Sequence, residues 1–592
     1  MNDDQPKRSL RSNFPRGSYL WSVRNAQWRA LGIAEADCEK PKIAVVNSSS
    51  ELASCYSHLD KIAAEVKQAI RAAGGLPFEI RTAAPSDFIT GAGARGAYML
   101  AARDLVTNDI EVAVEGAQLD GMICLTSCDK TVPGQLMAAA RLNIPTLLLP
   151  CGYQASGEYQ GRHCDIEDVF IGAMHVTTGA LDRETLVGMS REAIRSPGVC
   201  SGMGTANSMH IVCEALGMAL PGSAPIAASD AAAAPGAGGV ALNPKLLAQA
   251  RTAGARIVQM VAEDLKPRDI LQPGAFANAV RAVLAVGGSV NCVKHLQAVA
   301  SEATHGFDGA AGAAGQPVDV YALFEQLADS TPVLAAVRPV GEQTIEAFEA
   351  AGGCRAVLKQ LRPLLDTGVL GVSGRTLAAD LDEARVFDDE VIRPLQRPVA
   401  TRPAIVVLRG TLCPDSGIVK AGIHERRSRR FTGPAICFDT ADAALAAIND
   451  GRIRPGHAVV MRGAGPSGGP AMGGGASRVV FALDGAGLGE QVAMLTDGHL
   501  SGLVCKGLVV AEVAPEAALG GPLALVRDGD GVLIDLDTRR CELLVDEAEL
   551  QARRAAWQPA KPNFDRGWLQ IYRHNVGPLP QGAVLVRTNT QE

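Results

Sequence analysis

Ser127, Cys128, Asp129 and Lys130 place a thiol, a carboxylate and an amine in one short stretch, between the apolar run Gly121 to Thr126 and a helix-like segment with Pro133 in its first turn. With Ile144 to Leu149 as the next apolar run, this is a β-loop-α-β unit. The loop leaving a parallel strand's carboxyl end is where such sheets bind ligands. The positive end of the following helix would favour a thiolate and an anionic ligand there. The competing reading is structural: Asp129 caps the helix, Cys128 packs as a small hydrophobe and Lys130 is solvated.

Two more cysteines share that context. Cys55 follows the strand-like run Lys42 to Asn47 and a polar loop, and precedes Leu59, Ile62, Ala63, Val66 and Ile70, whose helical spacing stops at Gly74-Gly75. Cys200 lies in the glycine-punctuated turn GVCSGMGTANSM, before a helix whose candidate caps are Thr205 and Asn207. Cys124, Cys213 and Cys292 lie inside apolar runs and read as packing residues. Phe78 to Ala84 predicts a strand that delivers Asp87 into a loop. Gly91 to Gly96, GAGARG, matches the dinucleotide fingerprint and gives a rival reading as an NAD(P)-dependent oxidoreductase. That fingerprint needs its glycines directly at a strand-to-helix turn, and Pro85 to Thr90 intervene.

The elements that must hold these residues are numerous. At 592 residues the chain exceeds a single core, so several domains are expected. The 64 glycines, roughly 11% against a usual ~7%, predict many tight turns. A net charge of -7 and no long basic block argue against a nucleic-acid partner. No apolar run reaches the ~18 residues of a membrane span, and the Arg-rich stretch from Lys7 to Arg29 has no apolar core of a signal peptide, so a cytoplasmic protein is expected. Fourteen dispersed cysteines read as reduced thiols.

Helices are predicted within Tyr98 to Val114, Asp182 to Arg195, Phe276 to Ala285 and His295 to Ala300, with the turn GGSVN at 287 to 291 and a Gly/Ala-rich surface excursion at 301 to 318. After Leu370 the texture changes to short apolar runs, Ala404 to Leu408, Ala458 to Met461, Val492 to Leu495, Gly507 to Val513 and Leu523 to Val526, between Gly, Pro and Asp turns. The expected fold is α/β: residues 1–390 carry parallel sheet flanked by helices, and residues 391–592 form a β-barrel-like domain. The glycine-dense 463 to 475 lacks a phosphate loop's Gly-Lys-Ser/Thr ending and reads as a backbone-lined pocket wall.

CDKTVPG (128 to 134), MAAARLNIP (137 to 145), GVCSGMGTANSM (198 to 209), GGSVN (287 to 291), VSGRTL (372 to 377), RGTLCPD (409 to 415), TDGHLSG (496 to 502) and APEAALGGPLALVRDGDGVLIDLD (514 to 537) occur in one order along nearly the whole chain. In these segments the chain resembles the family of dihydroxy-acid, sugar-acid and 6-phosphogluconate dehydratases. The resemblance implies a hydro-lyase that turns a 2,3-dihydroxy acid into a 2-keto acid. It implies an iron-sulfur cluster, 2Fe-2S rather than 4Fe-4S, on Cys55, Cys128 and Cys200, three thiolates where full ligation needs four. It also implies Mg2+ on Asp87, Asp129 and a carbamylated Lys130, whose amine would have to be neutral and therefore depressed by burial beside cations. Ser501 matches the family's proposed base and could act only as an alkoxide stabilised by cations. His499, Ser289 and Asn291 are candidate substrate contacts, and a homodimer or homotetramer is expected.

Two departures mark a divergent branch. Alignment on Met472 puts Gly474 where the family has a glutamate metal ligand, which predicts weaker or differently ligated Mg2+. SDFITGAGARG replaces the usual Asp-Gly-Ile and His-Glu-Gly pattern. A non-catalytic relative of the same fold is the other alternative, and retention of the three cysteines, Asp129, Lys130 and Ser501 argues against it.

Overall fold

Runs of Val, Ile and Leu too apolar to face water on either side set the first sheet. The computed structural model describes residues 9–93, 96–230, 241–305, 317–423, 428–469, 475–560 and 564–585. Strands β1 (Lys42–Asn47), β2 (Leu76–Arg81), β3 (Gly121–Thr126) and β4 (Thr146–Pro150) form an all-parallel sheet in the order β2-β1-β3-β4. Every residue of β1, β3 and β4 is buried, as a parallel sheet covered on both faces requires. The crossover helices are Leu59–Ala72, Tyr98–Gly116 and Thr131–Leu142; the first buries the five residues its spacing marks out. A hairpin of β5 (Gly157–Tyr159) and β6 (Arg162–Cys164) follows. Helices Arg183–Glu192, Thr205–Ala215, Pro244–Glu263, Pro273–Ala285 and Asn291–His305 come next.

The later strands are β7 (Ile405–Leu408), β8 (Ser416–Lys420), β9 (Arg430–Phe438), β10 (Ala458–Met461), β11 (Ala493–Thr496), β12 (Leu508–Ala514), β13 (Gly531–Asp535) and β14 (Arg540–Leu544). They make one mixed sheet, β14-β13-β9-β10-β11-β12-β8-β7. Its two ends nearly meet: the Arg409 amide donates to Arg539 O (3.0 Å) and the Cys541 amide to Arg409 O (2.8 Å), which gives a barrel-like closure. Val406, Val460, Leu495, Val510 and Ile534 belong to its own apolar core. A larger core runs from Ile43 to Val584 and includes residues of both sheets.

Several expectations change. The run Leu523 to Val526 is not a strand: Pro522–Leu525 is a 3-10 turn, and Leu523 and Val526 still plug the barrel-like core. The helix after β3 begins at Thr131 with Lys130 in the cap position and no side-chain cap bond, so Asp129 is not its cap. Gly204, not Thr205 or Asn207, precedes the helix after Cys200. A turn of helix, Asp87–Thr90, separates β2 from Gly91, so GAGARG does not sit at a strand exit; Ala94 and Arg95 lie outside the described residues. So do 306–316, most of the expected surface excursion, and 470–474, which include Gly474.

Candidate active site

The three cysteines come together at the carboxyl ends of β1 and β3. The Ser127 hydroxyl donates to Cys55 O, tying the Cys55 turn to the Cys128 turn. Tyr56 Oη donates to Pro85 O (2.7 Å), holding the same turn against the Asp87 loop. The Cys55 and Cys128 thiols hydrogen-bond each other; that contact and burial raise Cys55 well above the usual thiol range, and Cys200 is near enough to add to it. Cys200 is raised chiefly by burial, then by Cys128, Asp129 and Glu167. Its loop is fastened by Asn207 Nδ2, which donates to Cys200 O and Gly202 O (both 2.8 Å). Glu167 packs directly on this turn: a Cβ on Gly202 would lie 2.1 Å from Glu167 Oε1.

Beside the thiols stands the carboxylate-amine group. Lys130 is fully buried and donates to Asp87 Oδ2 at 2.7 Å, while Asp87 Oδ1 is buried without a hydrogen-bond partner. Burial, then the charge of Asp87, pushes Asp129 up to about 7, and Thr205 donates to it. The expected depression of Lys130 is not what the fold produces. Burial pulls its amine down, but Asp87 and Asp129 outweigh it and the lysine is raised above its usual value.

These donors fit the two groups that the sequence resemblance implies. Two carboxylates at hydrogen-bond distance, one with an orphaned buried oxygen, are a hard cation's donor set. Three convergent thiols suit a soft metal. Among the described residues only His163, Asp165 and Asp168 bring three such ligand atoms within 4.8 Å of one another. The His163 group is itself bridged by Arg338, 2.8 Å from Asp168.

The second half of the site comes from the barrel-like sheet. Ser501 and Gly502 leave β11 and pack on the first half: a Cβ on Gly502 would meet Thr205 N at 2.7 Å and Ser289 Oγ at 2.8 Å. The Ser501 amide donates to Ser477 Oγ (2.8 Å), and the Leu503 amide donates to Ser501 Oγ (3.3 Å). Ser289 and Asn291 are buried around Thr205: their oxygen and amide lie 3.0 and 2.9 Å from Thr205 Oγ1. His499 is buried as well, at 3% exposure, rather than solvated in its turn.

Several residues here were not singled out from the sequence. Lys294 Nζ donates to Asn291 Oδ1 and Glu512 Oε1, both at 2.6 Å, with neither side chain exposed. Glu512 sits in a β-bulge of β12 at a φ of 54°, a strained backbone for a non-glycine residue. Burial lowers Lys294 to about 8 and raises Glu512. Glu167 and Lys420 complete the set. A lone charge inside an apolar run, as in LVVAEVA or SGIVK, was the available signal. Lys294→Met alone should destabilise the protein by ~3–5 kcal/mol, because it strands the Glu512 charge, whereas Lys294→Met with Glu512→Met should recover most of that loss in urea unfolding. Equal unfolding midpoints for the single variant and the parent would refute the pairing.

A parallel-sheet unit with a thiol, carboxylate and lysine loop, closed over by a serine turn from a barrel-like sheet, puts a donor set able to hold metal beside a candidate base. The chain belongs to the dihydroxy-acid/6-phosphogluconate dehydratase family: residues 40–380 match its N-terminal pattern and residues 390–583 its C-terminal pattern. It is 38% identical to a dihydroxy-acid dehydratase of Ignicoccus hospitalis over 95% of this chain and 98% of that one. It is 36% identical to one of Syntrophobacter fumaroxidans over 97% and 99%. A dihydroxy-acid dehydratase of Roseiflexus castenholzii is 38% identical over 95% and 96%.

Proposed function

We propose that the protein is a hydro-lyase that removes water from a 2,3-dihydroxy carboxylic acid, a branched-chain dihydroxy acid or a sugar acid, and releases the 2-keto acid. The observation that carries this reading is the packing of the Ser501–Gly502 turn on Thr205, which holds Asp129. That contact joins a candidate base to the carboxylates and thiols. The relatives' shared name, dihydroxy-acid dehydratase, supports the reaction class.

In this reading Cys55, Cys128 and Cys200 hold a 2Fe-2S cluster, and Asp87 and Asp129 hold Mg2+ with Lys130 as a carbamate. When bound, these groups supply Lewis-acid stabilisation of the departing hydroxyl and of the developing enolate. Ser501 Oγ, as the alkoxide, takes the C2 proton, the C3–O bond breaks as the departing hydroxyl receives that proton from Ser501 and leaves as water, and the enol tautomerises to the ketone. Lys130 can become a carbamate only when Asp87 and Asp129 are engaged elsewhere, since their charges hold its amine protonated. The buried surroundings of Thr205, Ser289 and Asn291 exclude water from the proton transfer. The same proposal puts the boundary between the two units near residue 390, the protein in the cytoplasm and its assembly as a homodimer or homotetramer. No helix among the described residues is long and apolar enough to cross a membrane.

An anaerobic screen over branched-chain and sugar-derived 2,3-dihydroxy acids, with detection of 2-keto acid, tests the reaction. Production from none of them would overturn it. Exhaustive chelation should abolish activity and titration with Mg2+ should restore it. Unchanged activity in a protein that elemental analysis finds metal-free would reject the metal assignment.

A further inference from the structure

Lys420 is the last residue of β8, only 3% exposed, and its ammonium lies 2.8 Å from Gly502 O. Gly502 C=O and Leu503 N–H belong to one planar peptide group, whose two ends are coupled by resonance. The N–H end donates to Ser501 Oγ at 3.3 Å. A single peptide therefore spans from a buried cation to the serine oxygen. Hydrogen bonds in such a chain polarise one another, and a charged donor at the carbonyl makes the N–H a stronger donor. The peptide cannot drift: Ser501 N is held by Ser477 Oγ, and Gly502 has no room for even a Cβ against Thr205 and Ser289. Burial draws the Lys420 amine below its usual value, with Cys505 and Glu167 opposing it, and leaves the ammonium unscreened by water.

We propose that Lys420 is a positioning residue for Ser501, whose charge is relayed through the 502–503 peptide to strengthen the hydrogen bond that Leu503 N–H gives to a serine alkoxide. The inference rests on the reading of Ser501 as the base. A serine oxygen that must carry negative charge needs cationic support, and this peptide delivers it without a second side chain in the substrate's path. The relay explains why a lysine ends an otherwise apolar strand at a place where its ammonium donates to a backbone carbonyl of the serine turn.

The test is a double-mutant cycle on the holoenzyme. Lys420→Met should lower kcat by about tenfold or more with KM and bound iron unchanged, a smaller loss than the 10²–10³ for directly removing an oxyanion donor. Lys420→Arg, which keeps the charge, should recover most of the rate. In a Ser501→Ala background Lys420→Met should have no further effect, because the relay has lost its acceptor. If the Met variant yields no folded protein, Lys420→Gln, which keeps a donor without charge, takes its place. An unchanged kcat, or a loss of equal size in the Ser501→Ala background, would overturn the proposal. Near-normal turnover of Ser501→Ala by itself would instead bring down the reading of the base.

Discussion

Replacing Ser501 by alanine should lower turnover by at least the ~100-fold typical of a lost general base, while fold, iron and divalent metal stay in place. The hydroxyl accepts one backbone hydrogen bond, from Leu503, and its loss costs only ~0.5–1.5 kcal/mol of stability. The neighbouring anchors, Ser477 to the Ser501 amide and Lys420 to Gly502 O, do not involve the deleted oxygen. The turn should therefore keep its shape, and the rate loss reports chemistry. Exchange of the substrate's C2 hydrogen with deuterated solvent, if present in the parent enzyme, should vanish in parallel. A Ser501→Ala enzyme with near-normal turnover would exclude the base role, and the buried His499 would be the next residue to replace.

The second large effect is expected at Cys128. Cys128→Ser is nearly isosteric, and the site is 6% exposed, so packing changes little. Bound iron should nevertheless fall and turnover should disappear, since a serine hydroxyl at this turn is a poor substitute for a thiolate among Cys55, Cys200 and Asp129. Cys213 is the matched control. It is fully buried in the Thr205–Ala215 helix near Cys124 and Cys292, and Cys213→Ser should keep both iron and activity. Full iron content in Cys128→Ser, measured by elemental analysis, would remove the cysteines from the site.

What was legible in the sequence depended on how each element is buried. β1, β3, β10 and β11 are covered on both faces and read as unbroken apolar runs. β9 was missed because RFTGPAICF carries Gly433 and Pro434 at its centre. The structure explains them: Arg430–Pro434 pairs antiparallel with β13 and Ala435–Phe438 parallel with β10, so the proline stands where the strand changes partners. β8 was missed because its five residues end in a lysine, an interior charge that pattern alone assigns to solvent. Leu523 to Val526 misled in the opposite sense, since a plug of the barrel-like core is as apolar as a strand.

At the site, the cysteines and the carboxylate-amine turn were legible because strand-to-helix loops concentrate them. The partners that fix them were not. Asp87 pairs with Lys130, Thr205 joins Asp129 to the serine turn, and Glu512 meets Lys294 from 218 residues away. The sign of the Lys130 shift followed from that missing information, because it depends on which charges lie nearest, and distance in the fold is not spacing in the chain.

The division of the site between an early and a late part of the chain also orders events during synthesis. Every thiol, carboxylate and lysine proposed to hold metal precedes Thr205, whereas Ser501 emerges 501 − 205 = 296 residues later. At a ribosomal pace of ~5–20 residues per second, that interval lasts about 15–60 s. During it the nascent four-stranded sheet can complete itself while the turn that will cover its binding loops does not yet exist.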